Sequence, residues 1–561
     1  MAATAGASLF INGRILSKAE VGLEGKATFA EGMFVKDGVI KAIGSQAELA
    51  EFQGDGVVTQ DLKGQTVLPG FVDGHMHLLL LGQALRKVGV EHCKTRDDIL
   101  ATLREYAKAN PDVPRILAKG WMHSMTPDGV DASMLDDIDP RPIFVDTKDL
   151  HSTWCNSAGL AEMNLGDMPD PAGGTIQRDE HGKPNGVLNE GAVLSIAWPH
   201  LAQVATIQER IDCMMAAFAS YHASGYTGIV EMAMDEPAWD ALLALREQHP
   251  DFNMRIVAYW LIKPSNTEEE RSRQVTKAIE LRKQFNKETS PDLRIAGIKI
   301  ICDGIIDACT SYLSEPYAVA PSPPPVWTPE DLDPIVKQAA DAGIQIALHA
   351  IGDAAIRMAV DMLEKHTQPG GRHRIEHLEL ASPEDAKRLG KLGLTASIQP
   401  VHADPAILRA WPRLIGEHRC GRAFAYREFA DAGALMALGS DAPTAPWNPL
   451  HNIYVATTRR SAREPECDEV VNEHFRLGIC ESVVAGTAGA AQSVFADDRV
   501  GSLECSTASA RPTNVTPDQP VSGVAMSRTP RARARCHEHK RRRLAGRCRD
   551  GRNIIDSSGA S

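Results

Sequence analysis

Apolar residues between positions 8 and 68 fall in short alternating runs, SLFINGRIL, GMFVKDGVIKAIG and VVTQDLKGQTVLP, broken by NG, DG and other turn residues. Period-two alternation between such turns predicts β-strands, here the N-terminal strands of a small accessory β-domain. Beyond them the period changes. Short apolar strands alternate with amphipathic helical stretches, as βα units around a parallel sheet require. The strand candidates are VLPGFVDGH (67–75), TGIVEM (227–232), RIVAYW (255–260), RIAGIKII (294–301), IQIALHA (344–350), RHRIEH (372–377), LTASIQ (394–399) and ALMALGSD (434–441). Eight parallel strands close a barrel, so the fold class expected is α/β, a (β/α)8 TIM barrel over residues 69–490. A long insertion, about 80–225, separates the first two strands and carries a strand of its own, RPIFVD (141–146). Residues 491–504 start a return to the β-domain, which the chain leaves incomplete at its C-terminus.

Size and charge narrow the class further. At 561 residues the chain exceeds what a single hydrophobic core supports, in keeping with a barrel plus an accessory unit. No uninterrupted apolar run reaches about 18 residues, so no membrane span is expected, and MAATAGASLFING lacks the basic start and apolar core of a secretory leader. Eleven cysteines without a CxxC pair read as reduced thiols of a cytoplasmic protein. A net charge of −13 argues against nucleic acid as a partner of the barrel and leaves a small-molecule substrate; oligomeric state stays open. Residues 505–561 differ from the rest, with 12 Lys/Arg against 4 Asp/Glu, a net of +8, so residues 1–504 carry −21. Their Pro-, Ser- and Arg-rich, aperiodic composition predicts a disordered basic tail. Two origins fit it: an out-of-frame 3′ end, or a genuine tail whose KRRR (540–543) would address the nucleus.

The chemistry is carried by FVDGHMHL. Strand residues at i and i+2 share a face, so His75 and His77 point together where an apolar strand gives way to loop, and two neutral imidazoles there chelate a divalent metal. His349, His377 and Asp441 end three later barrel strands, the end at which barrel active sites lie. Lys299 sits within apolar AGIKII, where an isolated ammonium is costly. Either its amine is neutral and adds CO2 to form a carbamate ligand, or the side chain snorkels outward or pairs with Asp303. His402 follows a strand within reach of substrate, Asp303 is placed to hold Lys299 or orient substrate, and Glu190 lies in the insertion, able to approach the metal.

These stretches, together with DLHSTWCNSAGL, PAGGTI…GKPNGVLNE, GIKIICDGIIDACTSYLSEPY, SIQPVHAD and GSDAPTAPWNPL, resemble amidohydrolase family 3, the YtcJ-like branch that includes N-substituted formamide deformylases, over roughly residues 8–504. The resemblance implies a barrel with a metal site from His75, His77, Lys299, His349 and His377, Asp441 as the acid/base, and His151 as a substrate contact. It implies a hydrolase that cleaves a non-peptide C–N bond with one or two divalent ions, zinc among the candidates. One alternative is a single-metal deaminase of the same superfamily, although Asp353 stands in HAIGDAAI where such an enzyme places a Glu. Another is a non-catalytic barrel, because the chain departs from the family pattern after VGSLE.

Overall fold

The computed structural model describes residues 6–147, 152–171, 174–190, 192–265, 267–504 and 524–527. Its central sheet has eight strands: β1 (Phe71–Met76), β2 (Tyr226–Met234), β3 (Arg255–Leu261), β4 (Leu293–Ile301), β5 (Gln345–Ala350), β6 (Arg374–His377), β7 (Thr395–Ile398) and β8 (Leu435–Leu438). Each pairs with the next in parallel. Past the end of β8 the backbone closes on β1: Asp441 N–H donates to the His75 carbonyl at 2.7 Å, and His77 N–H to the Ala442 carbonyl at 2.9 Å. Two glycines permit that approach. A Cβ at Gly74 would lie 2.6 Å from the Leu438 carbonyl oxygen, and one at Gly439 would lie 2.5 Å from the His75 nitrogen. The expected TIM barrel is the observed one.

Helices Ile207–Ala223, Pro329–Asp341 and Pro383–Lys391 each start on a hydroxyl, from Thr206, Thr328 and Ser382, that accepts a first-turn backbone N–H. Their apolar faces join a large core between strands and helices. Inside the barrel Val72, Val257, Tyr259, Ala296, Ala347 and Ala437 form a separate cluster, extended below by Ala490 and Val494. That segment covers the base.

Between β1 and β2 lies a six-stranded sheet in the order Gly174–Arg178, Pro184–Glu190, Ser152–Cys155, Ile143–Thr147, Ile116–Trp121, Val88–Gly89, packed around Trp121, Trp154 and Val145. The N-terminal strands divide between two four-stranded sheets, and Leu503 packs with Phe10, Ile15 and Val67 between them.

Two expectations need correction. Residues 67–75 are not one strand: Thr66–Pro69 pairs with Arg14–Ala19 in a small sheet, while Phe71–Met76 is β1. Pro69 and Gly70 break the run, so one apolar stretch serves two sheets. The segment 505–561 is also not uniformly without structure, because Val524–Ser527 pairs antiparallel with Thr66–Pro69. A strand edge offers unpaired N–H and C=O groups to any extended segment, whatever its composition. The remainder of 505–561 lies outside the described residues. Among those described, no helix is long and apolar enough to cross a membrane.

Candidate metal centre

β1 delivers His75 and His77 to the C-terminal mouth of the barrel, and the turn after β8 delivers Asp441. The Asp441 Oδ1 atom stands 3.3 Å from His75 Nε2 and 3.0 Å from His77 Nε2, and the three donors form a cluster able to hold a metal ion. Burial alone would raise the Asp441 carboxyl, yet the His75 and His77 imidazoles hold it well below the usual carboxylate range. Burial likewise opposes charge on His77, but the Asp441 and Glu231 carboxylates raise it to about 9. A bound cation would compete with that proton for the same nitrogen lone pair.

The other three side chains converge on this group. The His377 ring centroid lies 4.9 Å from that of His75 and 4.3 Å from that of His349. Burial, with Lys299 nearby, lowers His349 to about 3, which keeps its imidazole neutral and suited to ligation. Lys299 is 2% exposed and its Nζ has no hydrogen-bond partner among the described residues; burial lowers its pKa despite the charges of Glu376 and Asp441. The His377 Nδ1 atom is buried and also without a partner. Buried polar atoms rarely remain unpaired. Two such nitrogens among imidazoles and a carboxylate suit a divalent cation, so the residues present fit the metal that the motif implies. The backbone is strained at two of these positions, φ being +78° at His377 and +55° at Asp441.

The groups that aim these side chains went unread in the sequence. Glu376 accepts from His75 Nδ1 at 2.7 Å, which turns the Nε2 lone pair toward Asp441. Arg374, itself fully buried, donates to Glu376 at 2.8 Å, to the Gly74 carbonyl at 2.6 Å and to Ser397 at 2.8 Å. Asp73 joins the first and last strands: it accepts from His75 N–H at 3.1 Å, Ser440 N–H at 2.9 Å, Ser440 Oγ at 2.6 Å and the Tyr221 hydroxyl at 2.9 Å. Glu231 stands 3.8 Å behind His77 Nδ1. The available signal was charge at alternate positions of buried strands, Arg374 with Glu376 and Asp73 with His75.

The weaker candidates separate. Asp303 does not hold Lys299; beyond the end of β4 its carboxylate turns to the backbone N–H groups of Tyr312, Ile351 and Gly352, at 3.1, 3.1 and 2.9 Å, and lies 3.6 Å from His349 Nε2. His402 reaches the mouth, 3.7 Å from Asp441 Oδ2, backed by Glu379 at 3.5 Å, with its ring parallel to that of His377. His151 lies outside the described residues. Glu190 ends the strand Pro184–Glu190, and its side chain is likewise outside them. Asp353, half-buried at the start of the helix Asp353–His366, accepts the Ser314 N–H at 3.0 Å.

A sequence model described as "Amidohydrolase family" matches residues 58–505. The chain belongs to the amidohydrolase family. Among this amidohydrolase's relatives are the protein LONG AFTER FAR-RED 3 of Arabidopsis thaliana, 29% identical over 85% of this chain and 82% of the relative, and the N-substituted formamide deformylase of Arthrobacter pascens, 22% identical over 81% of this chain and 86% of the relative. An uncharacterized metal-dependent hydrolase from Pyrococcus furiosus has the same fold at a TM-score of 0.73 and 24% identity, covering 89% of this chain and 97% of its own.

Proposed function

We propose that this amidohydrolase cleaves a non-peptide C–N bond of a small amide-type substrate by attack of water, at a centre of one or two divalent ions, zinc among them. His75, His77, His349, His377 and Asp441 would hold the metal, with Lys299 as its carbamate. The observation that carries this reading is the buried Lys299 amine, without a partner among the described residues, beside the His349 and His377 imidazoles and the Asp441 carboxylate. A neutral amine at that position adds to CO2, forming an N–C bond and releasing one proton, and gives a two-oxygen anionic ligand.

When bound, a divalent ion supplies acidity to water and polarises a carbonyl. Asp441, with one oxygen at His75 and His77 and the other facing His402, is positioned to take a proton from the attacking water and return it to the leaving nitrogen. Glu376 keeps His75 in one tautomer throughout. His402, backed by Glu379 and 17% exposed at the mouth, is the group best placed to meet the substrate. The cysteines described are all free thiols, which supports a cytoplasmic setting.

The test pairs metal analysis with a screen of N-substituted formamides, N-acyl amines and aryl amides, on the natural chain and on Asp441→Asn. Turnover of at least one amide by the natural chain, lost in the variant while metal content persists, is expected. Equal turnover by both proteins would remove Asp441 from its role.

A further inference from the structure

One more polar side chain of the barrel interior goes unanswered, and it is not among the six that converge on the metal centre. Gln399 follows β7 and is 1% exposed. Neither its Nε2 nor its Oε1 has a hydrogen-bond partner among the described residues. Strand alternation gives its direction. The Ser397 hydroxyl accepts from Arg374 inside the barrel, and Ile398 packs in the outer core between strands and helices, so Gln399 turns inward as Ser397 does. The register gives its height. Ser397 lies beside Glu376 of β6 and Ala437 of β8, so Gln399, two residues on, stands where β6 has ended in His377 and β8 turns toward Asp441. Its carbonyl accepts the His402 N–H at 2.9 Å, and His402 Nε2 is 3.7 Å from Asp441 Oδ2.

A buried carboxamide with both ends unsatisfied is costly, and the polar groups directly beneath it, Ser397 with Arg374 and Glu376, are all paired. The carboxamide offers one donor and one acceptor side by side. Its complement is a second planar edge with an acceptor beside a donor, the C=O and syn N–H of a primary amide, a urea or a lactam. We infer that Gln399 is a substrate-recognition residue. Its Nε2 donates to the substrate carbonyl, its Oε1 accepts the syn N–H, and the site selects such amides over N,N-disubstituted ones. This inference rests on the amide-type substrate proposed above and narrows its class.

Isothermal titration calorimetry on the full-length protein, with benzamide and N,N-dimethylbenzamide as probes, reads this recognition without turnover. The natural chain should bind benzamide about tenfold more tightly or better, and Gln399→Met should bind the two probes within about twofold of each other. Because methionine is apolar and similar in length, that variant should also keep or raise the natural Tm. Should it fail to fold, Gln399→Ala carries the test with the same expected loss of preference. Equal affinity of the natural chain for the two probes, no binding of benzamide, or a preference that survives in the variant would overturn the assignment. Preferential binding of benzamide without turnover of any amide would count against hydrolysis and leave the role of Gln399 in place.

Discussion

The mouth of the barrel and the belt of side chains directly beneath it are built from the same strands and handle buried polarity in opposite ways. In the belt every charge is answered. Arg374 is shared among Glu376, Ser397, Ser493 and the Gly74 carbonyl, and Asp73 takes four hydrogen bonds from Ser440, Tyr221 and His75. At the mouth, Lys299 Nζ and His377 Nδ1 have no partner among the described residues, and His377, Leu378 and Asp441 adopt positive φ. The difference separates what maintains the fold from what the fold is built to hold. A saturated polar network fixes geometry, and an unsaturated one beside it is poised for a ligand.

Substitutions can break or sharpen that contrast. The largest effect is expected at the mouth, where Asp441→Asn should lower kcat by about 10³-fold, read against bound metal measured on the same sample. Next comes the belt: Glu376→Gln frees the His75 tautomer and should weaken metal affinity by about 10–100-fold in a competition titration with a chelator. A belt residue that acted only on stability would lower Tm and leave metal affinity intact. Lys299→Met tests the mouth from the other side. Replacing an unpartnered amine with an apolar chain of similar length should stabilise the metal-free protein by about 1–3 kcal/mol in denaturant unfolding, while metal content falls. A destabilised metal-free Lys299→Met would mean that the amine has a partner after all.

The last effect lies toward the base and depends on pH. His373, buried before β6, accepts the Ile346 N–H through Nδ1, and burial lowers its pKa to about 4 from an ordinary 6.5. The folded state therefore refuses a proton that the unfolded chain accepts. Its contribution is intact above pH 6.5 and is lost as pH falls from there toward about 4, amounting to at most about 3 kcal/mol. His373→Gln should flatten the acid limb of stability against pH in that window. An unchanged slope would assign the limb to other groups.

The contrast also explains which parts of the molecule could be read from its residues. Period-two runs separated by helical stretches carry the barrel, because strand and helix periods are local properties of the chain. His75 and His77 were legible through their spacing on one strand face, and Lys299 because a cation in AGIKII has nowhere inexpensive to go. The belt was not legible in the same way. Arg374 and Glu376 alternate in a strand as any exposed ion pair would, and only closure of the barrel sets His75 against Glu376. Asp303 shows the reverse: nearness to Lys299 in sequence left a pair among the alternatives, but the backbone N–H groups of Tyr312, Ile351 and Gly352 hold the carboxylate. The split of residues 67–75 at Gly70, and the strand Val524–Ser527, depend on pairing with segments far along the chain, which composition does not encode.

Anomalous X-ray scattering from crystals of the full chain, collected at the absorption edge of the metal found by elemental analysis, addresses the central claim most directly. One or two peaks should lie among His75, His77, His349, His377, Lys299 and Asp441, with density for a carbamate on Lys299. Metal bound at another place while these six side chains remain together without it, or a mouth with no anomalous peak in protein that carries stoichiometric metal, would contradict the account.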